Sequence, residues 1–144
     1  MRAKEYLGQF GRYEDRIQRK LVDVYRSRVL ATNISVAFGA DRVQTSGNGD
    51  RISGLVASIV DIEREVERLL QEYRDFSNEA LWQLENMCLG GESGMAQYKV
   101  LHARFVQRMT FEDIAEAMNY SERQVYNLYR DGLAEFERLY LDTN

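Results

Sequence analysis

Two helix-starting signals lie close together near the C-terminus, and they restrict the chain more than any other feature. Thr110 precedes Phe111-Glu112-Asp113, and Ser121 precedes Glu122-Arg123-Gln124. A Ser or Thr followed three residues later by an acid or amide forms a capping box, in which side chains satisfy the first backbone N–H groups of a helix. Between the two signals, Asn119 tolerates the left-handed conformation that ends a helix. The spacing predicts a helix over 111–118, a turn at Asn119-Tyr120-Ser121 and a second helix from 122 onward, a helix-turn-helix unit. Ile114, Met118 and Tyr120 are expected to face Val125 and Leu128, with Leu133 and Phe136 continuing one apolar stripe. Ala115 is small where the two helices should cross. Glu122, Arg123, Tyr126, Asn127 and Arg130 are left facing outward. Arg, Asn and Tyr near the start of a helix suit the major groove of DNA. The candidate DNA-binding residues are therefore Thr110, Ser121, Glu122, Arg123, Gln124, Tyr126, Asn127 and Arg130. A helical hairpin that only packs is the alternative.

The stretch TFEDIAEAMNYSERQVYNLYRDGLAEFERL, from Thr110 to Leu139, resembles the helix-turn-helix of sigma factor region 4. Ile114, Ala115, Met118, Ser121, Val125 and Leu128 fall in register with that motif. The preceding YKVLHARFVQRM resembles the helix that comes before it in sigma factors. Asn119 replaces the usual turn glycine, and Glu122, Tyr126 and Asn127 stand where sigma factors often carry Arg or Gln. The promoter sequence they read therefore does not carry over. Together with the upstream DRVQTSGNGDR, the chain resembles small sigma-like proteins of phages and prophages of Gram-positive bacteria, to which the ArpU-type and RinA-type regulators of late phage genes are related. This resemblance implies a transcription regulator that binds double-stranded promoter DNA together with host RNA polymerase in the bacterial cytoplasm. It also implies an all-α fold, with a long antiparallel N-terminal helical hairpin and a C-terminal region 4-like domain. No aromatic-rich, basic segment for melting DNA is found, which favours an activator over an autonomous sigma factor. A packaging component such as a small terminase subunit, and a sigma-mimicking interaction module, are the competing readings.

The remaining sequence supports long helices. Proline is absent from all 144 residues, so no ring interrupts a helix. Tyr6, Phe10, Tyr13, Ile17, Leu21 and Val24 recur at helical spacing, predicting a first helix over Lys4–Val36 with a locally basic face. Phe38–Asp50 breaks the pattern with Gly39, Gly47, Asn48 and Gly49, and is expected to be a loop. It lacks the Gly-Lys-Ser/Thr of a phosphate-binding loop. Ile52, Leu55, Ile59, Ile62, Val66, Leu69, Tyr73, Phe76 and Ala80 then alternate by three and four, a coiled-coil-like seam that Leu84 and Met87 extend. That seam supports two readings that can coexist: a hairpin with the first helix, and a homodimer through the hairpin. Trp82 lies off it, suited to the base of the hairpin or an interface. Gly90, Gly91 and Gly94 mark a linker at 90–94. The expected domains are thus 1–89, a helical hairpin, and 95–144, a DNA-binding domain beginning with a helix over Met95–Val106. Lys99, Arg104 and Arg108 precede the motif, where phosphate contact and plain solvation are the two readings.

Composition excludes several classes. With 44% apolar and 29% charged residues the chain is globular. No run approaches the roughly 18 apolar residues of a membrane span, and no signal core opens the chain. The lone Cys88 cannot form an internal disulfide and suits a small apolar role in a reducing compartment. His102, the single histidine, rules against His-based metal or triad chemistry and is expected to be structural. No enzyme activity, metal or cofactor is expected. The net charge of −4 is awkward for a DNA binder. From Met95 onward six basic residues face eight acidic ones, a balance of −2.

Overall fold

The computed structural model describes residues 1–40 and 46–142, with the side chains of 35–48 outside the description. The described residues are all helical or turn, with no strand. Helix α1 spans Ala3–Leu7, α2 Gln9–Ala40, α3 Ser46–Asn86, α4 Gly91–Leu101, α5 Phe111–Met118 and α6 Glu122–Phe136. A 3-10 turn at Met87–Gly90 joins α3 to α4, and π-helical turns at His102–Val106 and Glu137–Leu141 extend α4 and α6. The long N-terminal helices pack on each other, and no described helix is long and apolar enough to cross a membrane.

Contacts divide the chain into two compact units: Met1–Tyr13 with Tyr73–Asn144, and Glu14–Glu72. The first unit contains both termini because its core needs them. Ala3, Leu7 and Phe10 from the start of the chain join Ala80, Leu84, Met87, Leu101 and Phe136 in one buried cluster. Burying each Leu or Phe stabilises by about 1.5–3 kcal/mol. Aromatic edges tie the ends together: Tyr6 lies 5.3 Å from Phe76 and 5.7 Å from Phe136, and Phe10 lies 4.8 Å from Phe76. The Tyr6 hydroxyl donates to Gln83 Oε1 at 2.8 Å, which satisfies the one polar side chain buried in α3. Burial and the nearby Glu79 carboxylate push the Tyr6 phenol above its ordinary pKa, while the Gln83 bond pulls it down. The Ala3 N–H donates to Glu137 Oε2 at 3.1 Å, closing the first residues onto the far end of the chain.

The segment expected to be a linker lies inside this unit and is helical. Gly91, at φ +83°, turns the chain from the 3-10 turn into α4, a conformation glycine adopts without strain. Gly94 is buried, and a Cβ placed there would lie 2.2 Å from the Met87 carbonyl oxygen. These glycines permit a close helical corner, and residues from both sides of 90–94 share the buried cluster. The helix expected over Met95–Val106 accordingly starts earlier, at Gly91. Cys88 sits half-buried in the corner.

In the second unit, α2 and α3 form the expected hairpin. Ile17 and Val24 of α2 and Ile59, Val66 and Leu69 of α3 are buried. Every residue of the expected seam from Ile52 to Ala80 is buried or half-buried. Leu21, expected in the α2 stripe, is instead 51% exposed, because the buried positions repeat every seventh residue at Phe10, Ile17 and Val24 and leave Leu21 to one side. Trp82 is 63% exposed and anchors no core. Of the expected loop Phe38–Asp50, residues 38–40 and 46–50 are helical. Helix α2 continues through Gly39 and α3 begins before Gly47, while residues 41–45 lie outside the described residues. Each helical glycine costs about 1 kcal/mol relative to alanine, and hairpin packing outweighs that propensity.

The two glycines of the corner separate space from flexibility. Gly94→Ala should lower unfolding stability by about 1–3 kcal/mol, since the new methyl must displace backbone. Gly90→Ala, at negative φ with open space around it, should be neutral or stabilising by up to about 1 kcal/mol. Urea denaturation of both variants tests this; equal effects would refute the steric account.

Candidate nucleic-acid interface

The outward face of α6 is the candidate site, and its position depends on how α5 and α6 are started and stopped. Thr110 has extended backbone, and its hydroxyl accepts from the Asp113 N–H at 3.1 Å. Helix α5 ends at Asn119, which is left-handed at φ 58°, ψ 43°. There the Asn119 N–H donates to the Glu116 carbonyl at 3.3 Å and the Tyr120 N–H to the Ala115 carbonyl at 2.9 Å. This pair of bonds is a Schellman ending, with Asn in the place usually held by Gly. Ser121 then opens α6 with a complete capping box: Gln124 N–H to Ser121 Oγ at 3.1 Å, and Ser121 N–H to Gln124 Oε1 at 2.8 Å.

The corner closes over a small apolar cluster. Val100 from α4, Ile114 and Ala115 from α5 and Val125 from α6 are buried together, with Met109, Met118 and Leu128 against them. Tyr120, expected in this stripe, is 40% exposed, because the left-handed Asn119 swings the chain out of helical register just before it. The α6 stripe also divides: Val125 and Leu128 serve this cluster, whereas Leu133 and Phe136 serve the larger core. Gly132 marks the crossing of α6 and α4. A Cβ there would stand 3.2 Å from Gln97 Cβ and 3.3 Å from Leu101, so a larger residue would push the helices apart.

An aromatic row braces α6 from beneath. The Arg104 guanidinium carbon lies 4.4 Å from the centre of the Phe111 ring, and Arg104 donates to the Met109 carbonyl at 3.0 Å. Phe111 meets Tyr129 edge-on at 5.0 Å and Tyr126 at 6.2 Å, and Phe105 stacks on Tyr129 at 5.9 Å. Burial pushes the Tyr129 phenol above its ordinary pKa, with Arg104 pulling it down and Tyr126 adding to the rise. The sequence leaves Arg104 open to phosphate contact; the structure uses it to hold the connection into α5. An Arg seven residues before an aromatic, across a turn, was the available signal. Arg108 has φ 57°, and its guanidinium lies over Gly11 of α2. His102 is half-buried with its ring 5.6 Å from Tyr98, as a structural residue would be.

The expected site residues separate into two groups. Thr110, Ser121 and Gln124 spend side-chain oxygens on caps. Glu122, Arg123, Tyr126 and Arg130 are exposed along α6, and Asn127 is half-buried among them. Tyr126 keeps its ring against Phe111 and is 53% exposed. Arg130 reaches the adjacent Asp131 at 3.3 Å, an exposed pair of little energetic weight. Arg123 has no ion-pair partner among the described residues. No group of three or more potential metal-ligating side chains occurs among the described residues. Comparison with known protein families, curated proteins and solved structures finds no match.

The cap makes a direct prediction. Ser121→Ala should lower stability by about 1 kcal/mol, and Ser121→Asp should restore most of it. Chemical denaturation with circular dichroism measures both. An alanine effect within about 0.3 kcal/mol of zero would show that the capping box contributes nothing.

Proposed function

We propose that this chain is a phage or prophage transcription regulator resembling sigma factor region 4, which binds promoter DNA through α6 and acts with host RNA polymerase. The observation that carries the reading is the row of exposed Arg123, Tyr126 and Arg130, with half-buried Asn127 among them, on a helix whose start is fixed by a complete capping box. In a major groove Arg123 and Arg130 would donate to guanine O6 and N7, and Asn127 would pair with an adenine edge.

Charge determines how such a protein reaches useful affinity. The −2 balance from Met95 onward means that few phosphates are neutralised, so counterion release contributes little. Polymerase bound nearby raises the effective concentration of a weak DNA contact. The full chain should therefore bind promoter fragments weakly, at about micromolar Kd or worse, and polymerase should tighten binding by about tenfold or more. Titration with and without polymerase measures this, and nanomolar sequence-specific binding by the chain alone would reject the tethered mode. The full chain is the proper material, because a fragment from Met95 onward would lack Leu7, Phe10 and Leu84 from the core.

The reading residues have their own test. Arg123→Ala and Asn127→Ala should each reduce discrimination between sites by about 1–3 kcal/mol while leaving helicity unchanged. Unchanged site preference in these and in the Tyr126 and Arg130 alanine variants would exclude α6 as the reader. DNA binding by a ring of many copies that ignores polymerase would instead match a packaging component.

A further inference from the structure

The hairpin of Glu14–Glu72 leaves one apolar face uncovered. Leu21, Tyr25 and Val29 recur every fourth residue along α2, and Val22 lies beside them. They are 51%, 69%, 41% and 41% exposed in the order Leu21, Tyr25, Val29, Val22. On α3, Val56 and Val60 are 50% and 38% exposed. The heptad seam does not account for these residues, since it is occupied by Ile17, Val24, Ile59, Val66 and Leu69 within the chain.

One ion pair shows that both stripes lie on the same side of the hairpin. Arg28 bridges to Glu63 on one side of the seam. Arg28 follows Tyr25 by three residues and Glu63 follows Val60 by three, so the Arg28–Glu63 bridge borders both stripes. The antiparallel register set by Tyr13 against Tyr73 brings Tyr25 within about a residue of level with Val60, and Val29 with Val56. The result is one continuous patch, not two scattered edges.

We propose that this patch binds the same patch of a second copy of the chain. Three observations select that occupant. First, the hairpin buries little within itself: among the described residues only Ile17, Val24, Ile59, Val66 and Leu69 are buried there, and small cores gain stability from oligomerisation. Second, charge favours self-association over nucleic acid. Residues 14–72 carry nine basic and ten acidic side chains, a balance of −1, and Arg28 beside the patch is paired with Glu63. Third, the area suffices. A Val or Leu side chain carries roughly 60–120 Å² of apolar surface and an aromatic one roughly 150–250 Å², so the open fractions leave roughly 250–450 Å² per copy. Two copies, with the polar share an interface normally adds, would bury about 800–1,400 Å², against the roughly 1,000 Å² that a specific interface needs. A two-fold axis near Tyr25 sets Leu21 of each copy against Val29 of the other and converts two hairpins into a four-helix bundle.

Sedimentation equilibrium of the full chain tests the pairing independently of any DNA activity. The natural sequence should form pairs, and Tyr25→Glu and Val60→Glu should weaken pairing by about tenfold or more with helicity retained. Cross-linking supplies a test that needs no charge in the patch. With Cys88→Ser as background, Tyr25→Cys should give a covalent pair with a short bis-maleimide, while Asp23→Cys, away from the patch, should not. A chain that stays single up to about 100 µM overturns the proposal. So does a pair indifferent to the Glu variants, or equal cross-linking at Asp23→Cys.

Discussion

The close crossing of α4 and α6 at Gly132 is the constraint on which the candidate interface depends. Without a side chain there, α6 can lie against Gln97 and Leu101 and send Phe136 into the cluster that holds Leu7, Phe10 and Leu84. Val125, about two turns before Gly132, drops into the second cluster with Ile114. One helix thus fills two cores with alternate parts of its inner face. Its outer face is fixed as a consequence, because a helix gripped at both ends cannot roll. The exposure of Arg123, Tyr126 and Arg130 follows from that grip rather than from any preference of those residues for solvent.

Polar interactions refine this arrangement rather than create it. The exposed ion pairs Glu65–Arg68 and Glu135–Arg138 are local, within one helix or at its end, and such pairs contribute little to stability. The consequential polar contacts are those that release a helix from the next element: the Thr110 and Ser121 caps, the Asn119 ending and the Arg104 bond to Met109. Each satisfies backbone groups that helix termini leave orphaned. Together they bring α5 and α6 into contact across three residues.

Much of this was legible in the sequence, and the exceptions have a common cause. Caps act within three or four residues, so Thr110, Ser121, Gln124 and Asn119 were readable directly. The seam of α3 was readable because a repeat of three and four, sustained over many turns, is produced by little besides a helix packed along its length. What failed was inference from glycine and from single helical wheels. Gly90, Gly91 and Gly94 signal both a flexible linker and a tight corner, and only the Met87 carbonyl beside Gly94 distinguishes them. Leu21 fits a local stripe, but which side of a stripe is buried is set by the partner helix. Tyr120 fits until the left-handed turn rotates it away. The contribution of Ala3, Leu7 and Phe10 to a core completed by Phe136 had no local signal at all, since the partners are over a hundred residues apart.

That distance has a consequence for how the chain comes off the ribosome. The bond from Ala3 to Glu137 joins residues 134 apart, so the main core cannot close until Glu137 has been made. A loop that long closes slowly if the intervening chain is featureless. Here the intervening chain is a hairpin whose own contacts form between neighbours in synthesis order. Once α2 has folded back along α3, Tyr13 stands 5.6 Å from Tyr73, and the effective loop is shortened by the residues between them. The nascent hairpin thereby shortens the search that brings Ala3, Leu7 and Phe10 to Phe136.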